Sequence, residues 1–174
     1  MVHGGGIIAY PTEAVYGLGC DPLDAQAVFR LLAIKQRPLE SGLILISSDM
    51  SQLHPYIRPL EPATLRRITA TWPGPVTWLV PARAETPVWL RGRHDSIAVR
   101  ITAHPLAAAL CNALGQALVS TSANRHGRPP ARTALQVRRR LGDAIDLVIP
   151  GATGSQSRPT EIRDARTGRV IRPA

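Results

Sequence analysis

The chain has almost no lysine. Of 21 basic residues only Lys35 is lysine and the other 20 are arginine, against 12 acidic residues, for a net charge of +9. Aromatics are also scarce, with one phenylalanine, three tyrosines and three tryptophans. That leaves little material for the stacking platforms that hold single-stranded bases. Two cysteines, Cys20 and Cys111, stand far apart with no CxxC, which argues against a disulfide framework or a cysteine metal site. No apolar run approaches the roughly 18 residues that span a bilayer. The opening MVHGGGII has neither the charged start nor the apolar stretch of a secretory leader. A cytoplasmic protein with no membrane partner is the expectation.

Familiar catalytic signatures are missing too. There is no GxxxxGK[ST], no GxGxxG after a strand, no GxSxG and no HExxH, so P-loop, dinucleotide-fold, serine-hydrolase and zinc-hydrolase readings fall away. The histidines His3, His54, His94, His104 and His126 show no metal-ligand spacing, and no protein-held metal is expected. His104, just before Pro105, reads as a helix-start residue.

What is present is enough apolar material, 44% of 174 residues, to bury the core of one domain. Short Ile/Val-rich runs predict strands near 6–10, 43–47, 76–80, 96–101, 117–120, 146–149 and 169–172. Helical patterns fall near 24–36, 61–71, 105–114 and 133–141, with Asp24 and Thr133 as N-caps and Gly142 as a C′ glycine. The alternation predicts one α/β domain with a partly parallel sheet. GATGSQSRP (151–159) reads as a polar, mobile loop.

In helix 24–36, Val28, Leu31, Leu32 and Lys35 fall on one face, so the lone lysine sits on the apolar side. Either it snorkels along the core edge, or its ammonium is aimed into a pocket, with Arg37 following just before Pro38. A chain that writes arginine everywhere else favours the second, because a compact ammonium and a planar guanidinium are not interchangeable.

Hydroxyl- and arginine-rich turns recur at strand ends: YPTEAVYGLG (10–19), WPGPVT (72–77), SIAVR (96–100), STSAN (120–124) and RPTEIRD (158–164). One such turn is ordinary side-chain-to-backbone turn chemistry. Five of them, joined to Lys-x-Arg, supply the groups that hold phosphates and carboxylates, at the strand ends where open α/β sheets bind ligands. In SIAVR, alternation puts Ser96, Ala98 and Arg100 on one face.

YPTEAVYGLG, KQRP (35–38), PGPVT, SIAVR, STSAN and PTEIRD, in this order, closely resemble the YrdC-like domain family in its bacterial single-domain form. The resemblance covers nearly the whole chain. It implies an α/β fold of one domain, residues 1–174, with a twisted mixed sheet and helices around a large, positively charged cavity. It also implies the reaction of L-threonine, bicarbonate and ATP to threonylcarbamoyl-AMP and pyrophosphate, with Mg²⁺ accompanying ATP. A separate tRNA threonylcarbamoyltransferase complex then uses that product at adenosine 37 of tRNA. Carried onto this sequence, the family pattern gives Lys35 and Arg37 as the catalytic, phosphate-holding pair. Ser41, Ser96, Ser122, Asn124 and Arg172 fall on the ATP side, and Thr12, Arg100, Ser120 and Thr160 on the threonine side.

Two departures stand out. Ser41 occupies a position where the family usually has a third basic residue, and the helix that precedes the first strand in other members is missing or shortened. The second implies apolar sheet surface left uncovered. From a different class, a non-catalytic RNA-binding module in tRNA or ribosome maturation would account for the charge and for Arg125, Arg128, Arg132, Arg138, Arg139 and Arg140. The run VRRRL equally suits a solvated helix face.

Overall fold

A computed structural model describes residues 1–174. A 3₁₀ turn, Val2–Gly4, leads into strand β1 (Ile8–Pro11), which pairs as a hairpin with β2 (Tyr16–Gly19). There follow α1 (Ala25–Lys35), β3 (Ile44–Ser47), α2 (Pro62–Thr69), β4 (Val76–Pro81), α3 (Val88–Arg91) and β5 (Ser96–Ile101). The chain continues through α4 (Pro105–Leu114), β6 (Leu118–Ser122), α5 (Ala134–Leu141), β7 (Leu147–Val148), β8 (Glu161–Asp164) and β9 (Val170–Arg172). The strands form one mixed sheet in the order β7-β1-β2-β6-β3-β5-β4-β8-β9. Parallel pairs (β1–β7, β3–β5, β4–β8) are interleaved with antiparallel ones.

Local chemistry accounts for most of the helix ends. Asp24 accepts from the Ala27 amide at the start of α1, and Thr133 accepts from Gln136 at the start of α5. Each thereby satisfies one of the orphan donors of a first turn. His104 occupies the N-cap position of α4. Gly142 departs from expectation. Its φ is −49°, not left-handed, and the chain runs on into a 3₁₀ turn. Gln36 ends α1 with φ 53°, an unusual conformation for a residue with a side chain.

Side chains of β1 and the residue before it alternate between two faces. Ile7 and Ala9 join the main core with α1, whereas Ile8 and Tyr10 pack with Ile46, Leu118, Ala107 and Cys111 under α4. Val2 closes this second cluster and all four β1 residues are buried. The expectation of uncovered apolar surface at the first strand is therefore corrected, because α4 and the 3₁₀ turn cover it. No helix is long and apolar enough to cross a membrane.

The sequence patterns miss β2, α3 and β8. In YGLG, glycine reads as turn material, but Gly19 is there for close approach. A Cβ on it would lie 2.5 Å from the Val119 carbonyl oxygen and 2.9 Å from the Tyr10 ring. The strand EIRD pairs in parallel with β4, a long-range contact that its own charge pattern does not announce.

Candidate active site

The sheet encloses a cavity of about 560 Å³. Its walls come from the β1–β2 turn, the chain after α1, the strands β5 and β6, and the C-terminal segment from Pro159 onward. Thr12, Arg37, Ser41, Ser96, Arg100, Ser120, Ser122, Asn124, Thr160 and Arg172 all line it. Among the site residues expected from sequence, Lys35 alone does not.

Arg100 organises one end. It is 4% exposed, and its Nη1 donates to Thr160 Oγ1 at 3.0 Å and Thr77 Oγ1 at 3.2 Å. Its Nη2 faces Glu13 Oε2 at 3.4 Å, and its Nε has no partner. Glu13, equally buried, accepts from the Thr102 hydroxyl at 2.6 Å and the Ala103 amide at 3.2 Å through Oε1. Burial by itself would raise this carboxyl; the Arg100 charge and these hydrogen bonds outweigh it and hold the group below the usual carboxylate value. Thr12 commits its hydroxyl proton to the Val15 carbonyl at 2.7 Å, which leaves its lone pairs free to accept.

Arg37 organises the other end. The left-handed Gln36 turns the chain after α1, so that Arg37 Nε and Nη2 donate to the Gly42 carbonyl at 3.2 and 3.0 Å. Along β5, Ser96 and Arg100 share the cavity face four residues apart, about 13 Å at the usual strand rise. Arg172, on the C-terminal strand, donates to the Thr160 carbonyl at 2.7 Å. Burial, then the charges of Arg100 and Arg37, lower its pKa, so the Arg172 guanidinium feels both of the others across the cavity.

Lys35 stands apart from the other expected residues, since it is bonded to the residues of the cavity wall and does not itself line it. It lies 5% exposed behind the β6 turn and donates to the Ser122 carbonyl (2.5 Å), the Asn124 carbonyl (2.9 Å) and Asn124 Oδ1 (3.1 Å). The Ser122 hydroxyl also donates to Asn124 Oδ1, at 2.6 Å. Burial and then the nearby Arg37 charge pull Lys35 down to about 8, while three oxygen acceptors oppose that by favouring the charged form. The lone lysine thus pins the STSAN turn, a task that suits three tetrahedral donors and not a planar fork. The snorkelling alternative fails as well, since the head group is not in solvent.

The segment 151–159 is a loop, as expected, but it is fastened. Tyr16 donates through its hydroxyl to the Gly151 carbonyl (2.7 Å) and accepts from the Gly151 amide (3.1 Å). Gly154 and Gln156 donate their amides to the carbonyls of Thr12 and Glu13. His104 Nε2 and Arg132 Nη2 contact the Ala152 and Ser157 carbonyls. The loop is strapped over the first turn and carries Pro159 and Thr160 into the cavity wall.

Glu13, Thr77 and Thr102 receive no role from sequence reasoning. Glu13 and Thr77 sit inside two of the quoted turns, but a buried ion pair across 87 residues of sequence separation has no local signal. No group of three or more His, Cys, Asp or Glu side chains is arranged as a metal site, and Glu13 is saturated by Arg100, Thr102 and Ala103.

The sequence model of the Sua5/YciO/YrdC family, described as telomere recombination, matches residues 1–174. The chain belongs to this family. A Nitrosococcus oceani member named threonylcarbamoyl-AMP synthase is 59% identical over 99% of this chain and 93% of its own length. A Cellvibrio japonicus member of the same name is 52% identical over 100% of this chain and 92% of its own. Among solved structures, P. abyssi Sua5 complexed with L-threonine matches with a TM-score of 0.91 and 29% identity over 99% of this chain. This chain spans about half of that protein, 51%. E. coli YciO matches with a TM-score of 0.85 and 31% identity, covering 98% of this chain and 84% of its own. The α/β domain with a mixed sheet is thus a fold that this chain shares with these family members.

Proposed function

We propose that this family member is a threonylcarbamoyl-AMP synthase that joins L-threonine, bicarbonate and ATP, releasing pyrophosphate. One observation carries the reading: a single cavity holds a hydroxyl-rich Arg100 end and a cationic Arg37 end, in a chain 59% identical to a protein of that name. The threonine amine and bicarbonate condense to a carbamate with loss of water. A carbamate oxygen then attacks the α-phosphorus of ATP, and the bond to the pyrophosphate leaving group breaks.

Such a transfer asks for positioning and charge stabilisation more than covalent help. Thr12, Arg100, Ser120 and Thr160 hold threonine and its carbamate. The unpartnered Arg100 Nε supplies a donor, and the buried Glu13 keeps the guanidinium from binding anions at random. Arg37, Ser41, Ser96, Ser122, Asn124 and Arg172 receive the nucleotide, and Lys35 acts on it through the turn it pins. The chain offers no carboxylate cradle for a divalent ion, so Mg²⁺ enters as part of MgATP, a substrate. The product leaves for a tRNA threonylcarbamoyltransferase complex that modifies adenosine 37, in the cytoplasm where ATP and tRNA are.

A binding module for RNA is less well supported. Arg138 and Arg139 are exposed on α5 without partners, whereas Arg132 and Arg140 are spent on the Ser157 and Pro129 carbonyls. The deciding experiment follows pyrophosphate release from the purified chain with each substrate omitted in turn. Release that needs all three, with threonylcarbamoyl-AMP detected by mass, is the expected result. Salt-sensitive RNA binding without turnover would overturn it.

A further inference from the structure

Two residues outside every motif quoted above also face the cavity. Arg91, the last residue of α3, and His94, in the loop before β5, line it beside Ser41, Gly42 and Ser96. Their position is set by tight backbone packing between two segments. The Leu43 amide donates to the Leu90 carbonyl at 2.8 Å. A Cβ on Gly42 would lie 3.1 Å from the Arg91 carbonyl oxygen, and one on Gly92 would strike the Glu40 backbone. Gly42 and Gly92 both have positive φ, 63° and 65°, so these two chains can touch only as glycines. The segment that Arg37 grips is therefore the same one against which the end of α3 is packed, and the His94 amide in turn donates to the Arg91 carbonyl at 3.3 Å.

The side chains are presented, not tucked away. Arg91 spends Nε on the Thr86 carbonyl (3.2 Å) and one Nη1 donor on the His94 carbonyl (2.9 Å). Its Nη2 makes no hydrogen bond within the chain, and neither does the exposed His94 ring. The nearby acid Glu40 is engaged by Arg93 at 3.6 Å and neither residue lines the cavity. What faces the space at this end is thus Arg37, Arg91 and an imidazole, with no carboxylate to balance them. A nucleoside monophosphate would leave most of that charge unmatched, whereas the β- and γ-phosphates of a triphosphate would meet it. Because Ser96 sits about 13 Å along β5 from Arg100, this end is remote from the threonine end.

We infer that Arg91 and His94 are nucleotide-binding residues that hold the leaving pyrophosphate of ATP, and that Arg91 supplies the cation that Ser41 does not. The inference rests on the synthase reading and adds residues and a polarity to that site: pyrophosphate at the Arg37–Arg91 end, carbamate at the Arg100 end.

Calorimetric titration of the purified chain with pyrophosphate, MgATP, AMP and L-threonine tests it. Arg91→Ala is expected to weaken pyrophosphate and MgATP about tenfold, the scale of one lost hydrogen bond to a charged group. His94→Ala, at an exposed position that holds nothing else, is expected to weaken them about threefold, the lower end of the scale for an ordinary hydrogen bond. AMP and threonine affinities stay within twofold of wild type, about the scatter of a neutral substitution. Ser41→Lys placed in the Arg91→Ala background restores pyrophosphate affinity, which loss of a merely structural arginine would not allow. Pyrophosphate binding unchanged in both single variants overturns the inference and leaves the synthase reading standing. So does an equal loss of all four ligands that Ser41→Lys fails to rescue. Wild type that binds neither MgATP nor pyrophosphate overturns both.

Discussion

Replacing Glu13 by Gln changes one atom and removes one charge. The wild-type carboxylate is 6% exposed and faces Arg100, which is 4% exposed, so the substitution leaves a guanidinium without its counter-ion. Breaking a buried pair by removing one partner costs about 3–5 kcal/mol. The lower end applies here, since the glutamine carbonyl can still accept from Thr102 and Ala103 while only its amide meets Arg100. A loss of about 3 kcal/mol in a domain of this size corresponds to a fall in melting temperature of about 6–12 °C. The pH dependence gives a second reading. The folded-state pKa of Glu13 lies below the ordinary 4.5, so its contribution is fully present above that value and is lost as pH falls through the folded value. Wild type and Glu13→Gln should therefore differ most near neutrality and converge in acid. Thermal unfolding from pH 7 down to pH 3, with threonine kcat/KM measured alongside, tests the reasoning. Equal melting temperatures at pH 7 would show that Arg100 is not balanced by Glu13. A constant gap at all pH values would show that packing, not charge, carries the effect.

Other perturbations separate the two ends of the cavity. Arg100→Ala should raise the KM for threonine at least tenfold, as expected for a lost charge-assisted contact, and change MgATP affinity little; the reverse pattern would exchange the ends. Lys35→Ala removes a donor from three oxygens around the β6 turn and leaves the Asn124 carbonyl with none, a cost of about 1–3 kcal/mol, and should cut turnover while the chain still folds. Lys35→Arg should not rescue it, since a fork cannot reach all three acceptors. An amine-acylating reagent should modify the α-amino group readily and the buried Lys35 slowly, with or without MgATP. Rapid Lys35 labelling that MgATP blocks would show its ammonium facing phosphate after all.

Much of this site was legible because the turns at strand ends are local and carry their chemistry in sequence. The turns stand out as hydroxyls, amides and arginines next to apolar strands, the family resemblance singles out Thr12, Ser96, Arg100, Ser120, Ser122, Asn124 and Thr160 within them, and all of these line the cavity. Order along the chain also helped, since a set of weak motifs in a fixed sequence is specific where each alone is not. β2 and β8 were hidden for the opposite reason. Gly17 and Gly19 lower strand propensity, and their value lies in the close approach of Tyr10 and of β6, whose residues are about 100 positions away. Arg91 and His94 stayed hidden because the backbone contact that presents them joins two loops, and neither loop has a pattern of its own.

Lys35 shows the limit of arguing from residue type. Scarcity marked it correctly as a position where arginine does not serve, and helical spacing put it correctly on the buried face. Neither said what it touches. A lone ammonium on an apolar face can reach into a ligand space or into a neighbouring turn, and the difference is a matter of a few ångströms of tertiary packing. Here the backbone carbonyls of Ser122 and Asn124 and the Asn124 side-chain oxygen take the three donors, and the turn so held places Ser122 and Asn124 in the cavity wall. The phosphate-facing charge then has to come from groups with unspent donors, and Arg37 and Arg91 both hold them. A fixed turn and arginines with unspent donors divide the work between shape and charge. That division explains why one lysine suffices in a chain with 20 arginines: the lysine builds the site, and the arginines fill it with field.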